Sequence, residues 1–209
     1  MVRERYLHRL NTSALDNRHI GMLEEGFPAL LILNMQDYFL SSSSPAFVPS
    51  APDLIPVLVR LAEAFQCRDL PVVYTKHVNT SENAGMMAVR WKELIAAENP
   101  LSRINSAFDT SWDAVLDKPQ YDAFHNTELE KLLKQMEVTS LVVTGVLTDV
   151  CCATTARSAF TRGYRTIMPV DSTAAMNMEL HRAAVTAMSY GFFRPVSARA
   201  VEKTILSVY

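Results

Sequence analysis

Short aliphatic runs recur along the chain, and most are followed by segments in which apolar positions return every three or four residues. Residues 29–33, 72–75, 114–116, 141–144 and 166–170 read as buried strands, since they are rich in Leu, Val and Ile and are bounded by turn-forming residues. Residues 53–68, 89–97, 128–136, 150–162 and 179–190 carry the helical period. Pro56 falls in the first turn of its helix, where a missing N–H costs nothing. A last strand near 194–196 and a short terminal helix close the chain. This alternation predicts an α/β fold: a three-layer α/β/α sandwich around a central, mostly parallel sheet of about six strands in Rossmann-type order. Residues 1–28 read as a polar, mixed N-terminal arm and 29–209 as a single domain; no repeat is visible, and the serine run at 41–44 is the one low-complexity patch.

One segment carries more chemistry than the rest. Thr148-Asp149-Val150-Cys151-Cys152 lies directly behind the fourth strand and ahead of a helical pattern. A thiol at a helix start meets unpaired backbone N–H groups and the positive end of the dipole, which favour the thiolate. Burial as small core residues is the competing reading for both cysteines. Asp149 at the same helix start reads better as an N-cap than as a catalytic carboxylate. Two further strands run into polar groups: Asn34-Met35-Gln36-Asp37-Tyr38-Phe39, and Lys118-Pro119-Gln120-Tyr121-Asp122-Ala123-Phe124. Ligands bind at the carboxyl ends of parallel strands, so three strand ends can converge on one pocket.

Composition narrows the partners. A chain of 209 residues with net charge -2 has no basic field for nucleic acid, and no apolar run is long enough to span a bilayer. A small-molecule substrate is expected. Three cysteines argue against a disulfide framework and for a reducing compartment, and the first residues lack a secretory h-region, so a cytoplasmic location is expected.

The three segments together resemble the isochorismatase-like cysteine hydrolase superfamily, which includes nicotinamidases, N-carbamoylsarcosine amidases, ureidoacrylate amidases and isochorismatases. The likeness runs through Gly145-Val146-Leu147-Thr148-Asp149-Val150-Cys151 and continues at Gly163-Tyr164 and 171–175. It implies Cys151 as nucleophile and Lys118 as the catalytic lysine, with Asn34 at the place of the family's aspartate. It also implies a non-proline cis peptide between Val146 and Leu147, with N–H donors of Leu147 and Cys151 forming an oxyanion hole. Gln36, Phe39, His77, Trp91, Tyr121 and Phe124 are the expected substrate contacts; core packing competes for the two aromatics at 121 and 124, and a structural role competes for His77. A homo-oligomer, dimer or tetramer, follows from fold analogy.

Two departures matter. Asn34 is a neutral amide and holds no titratable proton, so it cannot serve as acid or base. Asp37, the nearest spare carboxylate, lies three residues on, beyond the strand end. Three readings stay open: a hydrolase using Cys151 and Lys118 with another base, a catalytically silent ligand binder, or an inactivated form of an aspartate-bearing enzyme. The other departure concerns metal. The nicotinamidase zinc site needs an Asp-x-His pair and a further His, whereas residues 74–82 here offer His77 alone, so neither metal nor cofactor is expected. A retained cysteine favours cleavage of an amide, carbamoyl or ureido bond through a thioester; vinyl-ether hydrolysis of the isochorismatase type is the alternative.

Overall fold

The computed structural model describes Leu23, residues 26–193 and residues 195–209. Its centre is a parallel sheet with strand order β3-β2-β1-β4-β5, built from β1 (Pro28–Leu33), β2 (Val72–His77), β3 (Ala114–Lys118), β4 (Ser140–Val146) and β5 (Arg165–Ile167). A two-residue strand, β6 (Thr173–Ala174), extends the β4 edge beyond β5. Side chains on a strand alternate between faces. In β1, Leu30 and Ile32 pack on one side with Val57, Leu58, Leu61 and Phe65 of helix α2 (Ile55–Gln66) and with Val201 and Ile205 of helix α7 (Ala198–Val208). Ala29, Leu31 and Leu33 face the other way, against Ala153, Ala156 and Ala159 of helix α5 (Ala153–Thr161), Leu129 and Leu133 of α4 (Leu129–Gln135) and Met188 of α6 (Met178–Gly191). These are the two outer layers of an α/β/α sandwich.

Several boundaries differ from the sequence-based expectation. β1 begins at Pro28, paired with Ser140, so the expected arm ends earlier; the rest of 1–28 lies outside the described residues apart from Leu23, Gly26 and Phe27. Both β2 and β3 run further than their aliphatic cores, ending on the register pair His77 and Lys118. The helix expected over 89–97 is the single turn α3 (Met87–Arg90). Beyond it the chain is extended at Trp91, and the Ile95 carbonyl accepts from Asn79 N–H at 2.8 Å, so that group is not free to continue a helix. β5 stops at Ile167 instead of 170, because Pro169 has no N–H for the ladder. The expected last strand is one bridge, Val196 to Pro169, with Arg194 outside the described residues. Between β1 and the loop to α2 lies one turn of helix, α1 (Asp37–Leu40).

One glycine is required by the packing of strand ends. Gly145 has φ +99°, and a Cβ there would lie 2.1 Å from the Leu33 carbonyl oxygen. The close approach brings the carboxyl ends of β1 and β4 together.

Candidate active site

The strand order β3-β2-β1-β4 makes four adjacent carboxyl ends, and each delivers one polar side chain to the same place. Lys118 is the last residue of β3, His77 the last of β2, Asn34 follows β1, and Cys151 sits in the turn after β4. That turn, Thr148–Cys152, is π-helical and joins directly onto α5. The peptide bond between Val146 and Leu147 is cis.

Lys118 is fully buried. Its Nζ donates to Gln120 O at 2.9 Å and to Cys151 Sγ at 3.5 Å, and stands 3.4 Å from His77 Nδ1. An ammonium has three hydrogens, and three acceptors surround it. No carboxylate pairs with it among the described residues. His77 is held by its backbone, with N–H donated to Gln36 Oε1 at 2.7 Å and its carbonyl accepting from Gln36 Nε2 at 3.2 Å. Burial, and then the Lys118 charge, push the His77 pKa down to about 3, so its ring is neutral near pH 7.

Asn34 is 1% exposed and adopts φ +53°, which asparagine tolerates better than most residues. Its Nδ2 donates to the Val146 carbonyl at 2.7 Å, its Oδ1 accepts from Thr75 Oγ1 at 3.4 Å, and its backbone N–H donates to Thr75 O at 3.0 Å. Asn34 thus ties β1 to both neighbouring strands beside the cis peptide. Asp37 is turned to other work: Arg103 Nε donates to it at 2.7 Å and Asn105 Nδ2 at 2.6 Å.

A cavity of about 490 Å³ opens over this group. Asn34, Phe39, His77, Trp91, Tyr121, Leu147 and Cys151 all line it. Trp91 Nε1 donates to Tyr121 Oη at 2.8 Å, and the Arg90 guanidinium lies 4.6 Å over the indole ring, so the outer wall is a connected aromatic surface. Two of the expected substrate contacts lie elsewhere. Gln36 is completely buried away from the cavity, donating also to Ser102 O at 2.7 Å, because a buried amide must satisfy its donors and the backbone of β2 offers partners. Phe124 packs in the core against Tyr164, rings 5.9 Å apart, with the Arg162 guanidinium 4.7 Å from its ring centroid. Asp149 does not cap the turn: its Oδ1 is buried without a hydrogen-bond partner among the described residues. Cys152 is wholly buried, donates to Thr144 O at 3.7 Å, and has its thiol pKa pushed well up by burial.

Residues that the sequence did not single out complete the surroundings. Asn79 lines the cavity and holds Pro119 O through Nδ2 at 2.7 Å, fixing the segment after Lys118. Met176 and Ile95 add apolar wall. His181 of α6 hydrogen-bonds through Nδ1 to Thr148 Oγ1 at 2.8 Å, anchoring the first residue of the cysteine turn, and burial lowers its pKa to about 4. Its place on an apolar helix face was the one sequence signal available for it. Among the described residues no group of three or more His, Cys, Asp or Glu gathers as a metal site, and no helix is long and apolar enough to cross a membrane.

A parallel sheet covered on both faces, with a thiol-bearing turn at its strand ends, places the chain among α/β/α-sandwich hydrolases. It belongs to the isochorismatase family: the model described as Isochorismatase domain matches residues 28–200. The chain is 30% identical to Nicotinamidase 3 of Arabidopsis thaliana over 183 residues, which is 85% of this chain and 88% of that protein. It is also 30% identical to enterobactin synthase component B of Escherichia coli K12 over 156 residues, 73% of this chain but only 54% of that longer protein. Among solved structures, a cysteine hydrolase from Pseudomonas syringae pv. phaseolicola superposes with a TM-score of 0.84 at 26% identity, covering 88% of this chain and 94% of that one. N-carbamoylsarcosine amidase from Thermoplasma acidophilum shares the fold, with a TM-score of 0.72 at 22% identity over 82% of this chain and 96% of that one.

Proposed function

We propose that the protein hydrolyses a C–N bond in a small carboxamide, carbamoyl or ureido compound through a thioester on Cys151. The observation that carries this reading is the 3.5 Å approach of buried Lys118 Nζ to Cys151 Sγ beside a cavity sized for a small molecule. An ammonium at that distance stabilises negative charge on sulfur, in a site where little water screens it. Attack on the substrate carbonyl moves charge onto its oxygen. The N–H groups of Leu147 and Cys151 are the donors assigned to that oxyanion. Collapse of the adduct releases ammonia or an amine, and water then cleaves the thioester.

Walls of Phe39, Trp91, Leu147 and Met176 favour a substrate with a flat or apolar body, and neutral His77 and Asn79 offer hydrogen bonds to its polar end. The names of relatives, two of them amidases, support the same class of bond. Screening primary carboxamides, N-carbamoyl acids and ureido acids for ammonia release tests the reading. Turnover by the parent and its loss in Cys151→Ala is expected; binding of these compounds without turnover in either form replaces hydrolysis by ligand binding, which the neutral side chain at 34 favours. A dimer or tetramer fits the apolar groups left outward on the late helices, Tyr190 and Phe160 among them, and light scattering decides it.

A further inference from the structure

The side chain at position 34 has no capacity left for acid–base work. Its Nδ2 is given to the Val146 carbonyl and its Oδ1 to the Thr75 hydroxyl. An ionised carboxylate in the same pose would set an oxygen 2.7 Å from the Val146 carbonyl oxygen, so this pocket is shaped for an amide. The spare carboxylates do not fill the gap. Asp37 is engaged by Arg103 and Asn105, Asp149 does not line the cavity, and Glu93, which does, is exposed and is not among the partners of Lys118 Nζ. Around Lys118 Nζ stand a backbone carbonyl, an imidazole nitrogen and a sulfur, and of these only the sulfur is an acid that can lose its proton to the amine.

We infer that Cys151 and Lys118 form a two-residue acid–base unit, in which Lys118 Nζ alone holds and moves the proton and Asn34 is a positioning residue for the cysteine turn. This proton path takes its substrate from the amidase reading above. In the resting pair the thiol proton resides on Nζ. Sulfur attacks the carbonyl carbon, forming a C–S bond while the carbonyl π pair moves to oxygen. As the adduct collapses, the C–N bond breaks and its nitrogen takes the proton from Nζ, leaving a thioester and a neutral lysine. Water then adds to the thioester carbon and passes a proton to Nζ. Expulsion of sulfur yields the carboxylic acid and restores the pair.

The test uses p-nitrophenyl acetate on the full chain, because its phenolate departs without a proton. The burst of p-nitrophenolate reads attack by sulfur; Nζ, still protonated once the phenolate has left, then releases its proton to solvent and takes one from water, so the steady state reads activation of water by Nζ. Arginine keeps the charge but does not give up its proton. Lys118→Arg is therefore expected to keep a burst and lose about a hundredfold in steady-state rate; a steady state within tenfold of the parent overturns the assignment. Asn34→Asp is expected to lower the steady state about tenfold, by breaking the hold on Val146 and by drawing the ammonium from sulfur. A rate at or above the parent's shows that the site needs a carboxylate and overturns it too. This second arm leaves Lys118 untouched and decides the matter where Lys118→Arg does not fold. Failure of every carboxamide to release ammonia, with the ester results as expected, removes the amidase reading and leaves the proton path standing; ammonia release with a faster Asn34→Asp does the reverse.

Discussion

His77 and Lys118 share the last rung of the β2–β3 ladder, and their side chains meet beneath the cavity, with Lys118 Nζ 3.4 Å from His77 Nδ1. A neutral imidazole beside a buried ammonium accepts from it; a protonated one repels it. The arrangement holds while His77 stays uncharged.

The pKa of His77 falls from 6.5 in an unfolded chain to about 3, and that of His181 to about 4, chiefly by burial. Below pH 6.5 the unfolded state binds protons that the folded state refuses, so stability is full above that pH and declines as pH falls towards 4 and then 3. Each histidine removes up to about 1.4 kcal/mol per pH unit in its window. Urea unfolding at pH 7 and at pH 5 is expected to show a lower midpoint at pH 5, and His181→Gln is expected to reduce the difference. Equal midpoints for the parent would contradict it.

Gly145→Ala places a methyl 2.1 Å from the Leu33 carbonyl at a φ that alanine resists. The two strand ends must separate, so a loss of about 3 kcal/mol or more is expected. Thermal unfolding measures it, with loss of Cys151 reactivity as the companion sign.

Gln36 is a test of structure against substrate contact. Its amide satisfies the Ser102 carbonyl and both backbone groups of His77. Gln36→Leu strands those buried groups, and a loss of roughly 3 kcal/mol, or a Tm lower by roughly 10 °C, is expected. An unchanged Tm with a raised KM would return Gln36 to the substrate contacts.

Tyr121→Phe removes the oxygen that holds Trp91 Nε1. The outer wall loosens without touching sulfur or amine. KM for an accepted amide is expected to rise about fivefold, with kcat within about twofold of the parent; steady-state kinetics on that amide check it.

Much of this architecture is legible in the chain because burial imposes a pattern. Continuous aliphatic runs mark strands covered on both faces, and a thiol directly after one of them marks Cys151. Lys118 and Asn34 also stand at the ends of runs, but it is the family resemblance that singles them out, since a lysine at a strand end is ordinarily solvated. What pattern does not carry is partnership across long sequence separations. Gln36 looks like a pocket residue until the β2 backbone, 41 residues away, is seen to occupy it. Phe124 is aromatic and close to Lys118 in sequence, yet its ring turns into the core against Tyr164. The segment after Arg90 has helical apolar spacing, but the Ile95 carbonyl serves Asn79. His181 reaches the cysteine turn from a helix whose pattern only says that the histidine faces inward.

Alkylation with iodoacetamide near pH 7, read by peptide mass mapping over time, bears most directly on the account. Cys67 is exposed and Cys151 is buried, so access alone would label Cys67 first. Faster labelling of Cys151, slowed about tenfold or more in Lys118→Met, is expected if the amine sustains charge on its sulfur. Labelling of Cys151 no faster than that of Cys67, and indifferent to Lys118, would contradict it.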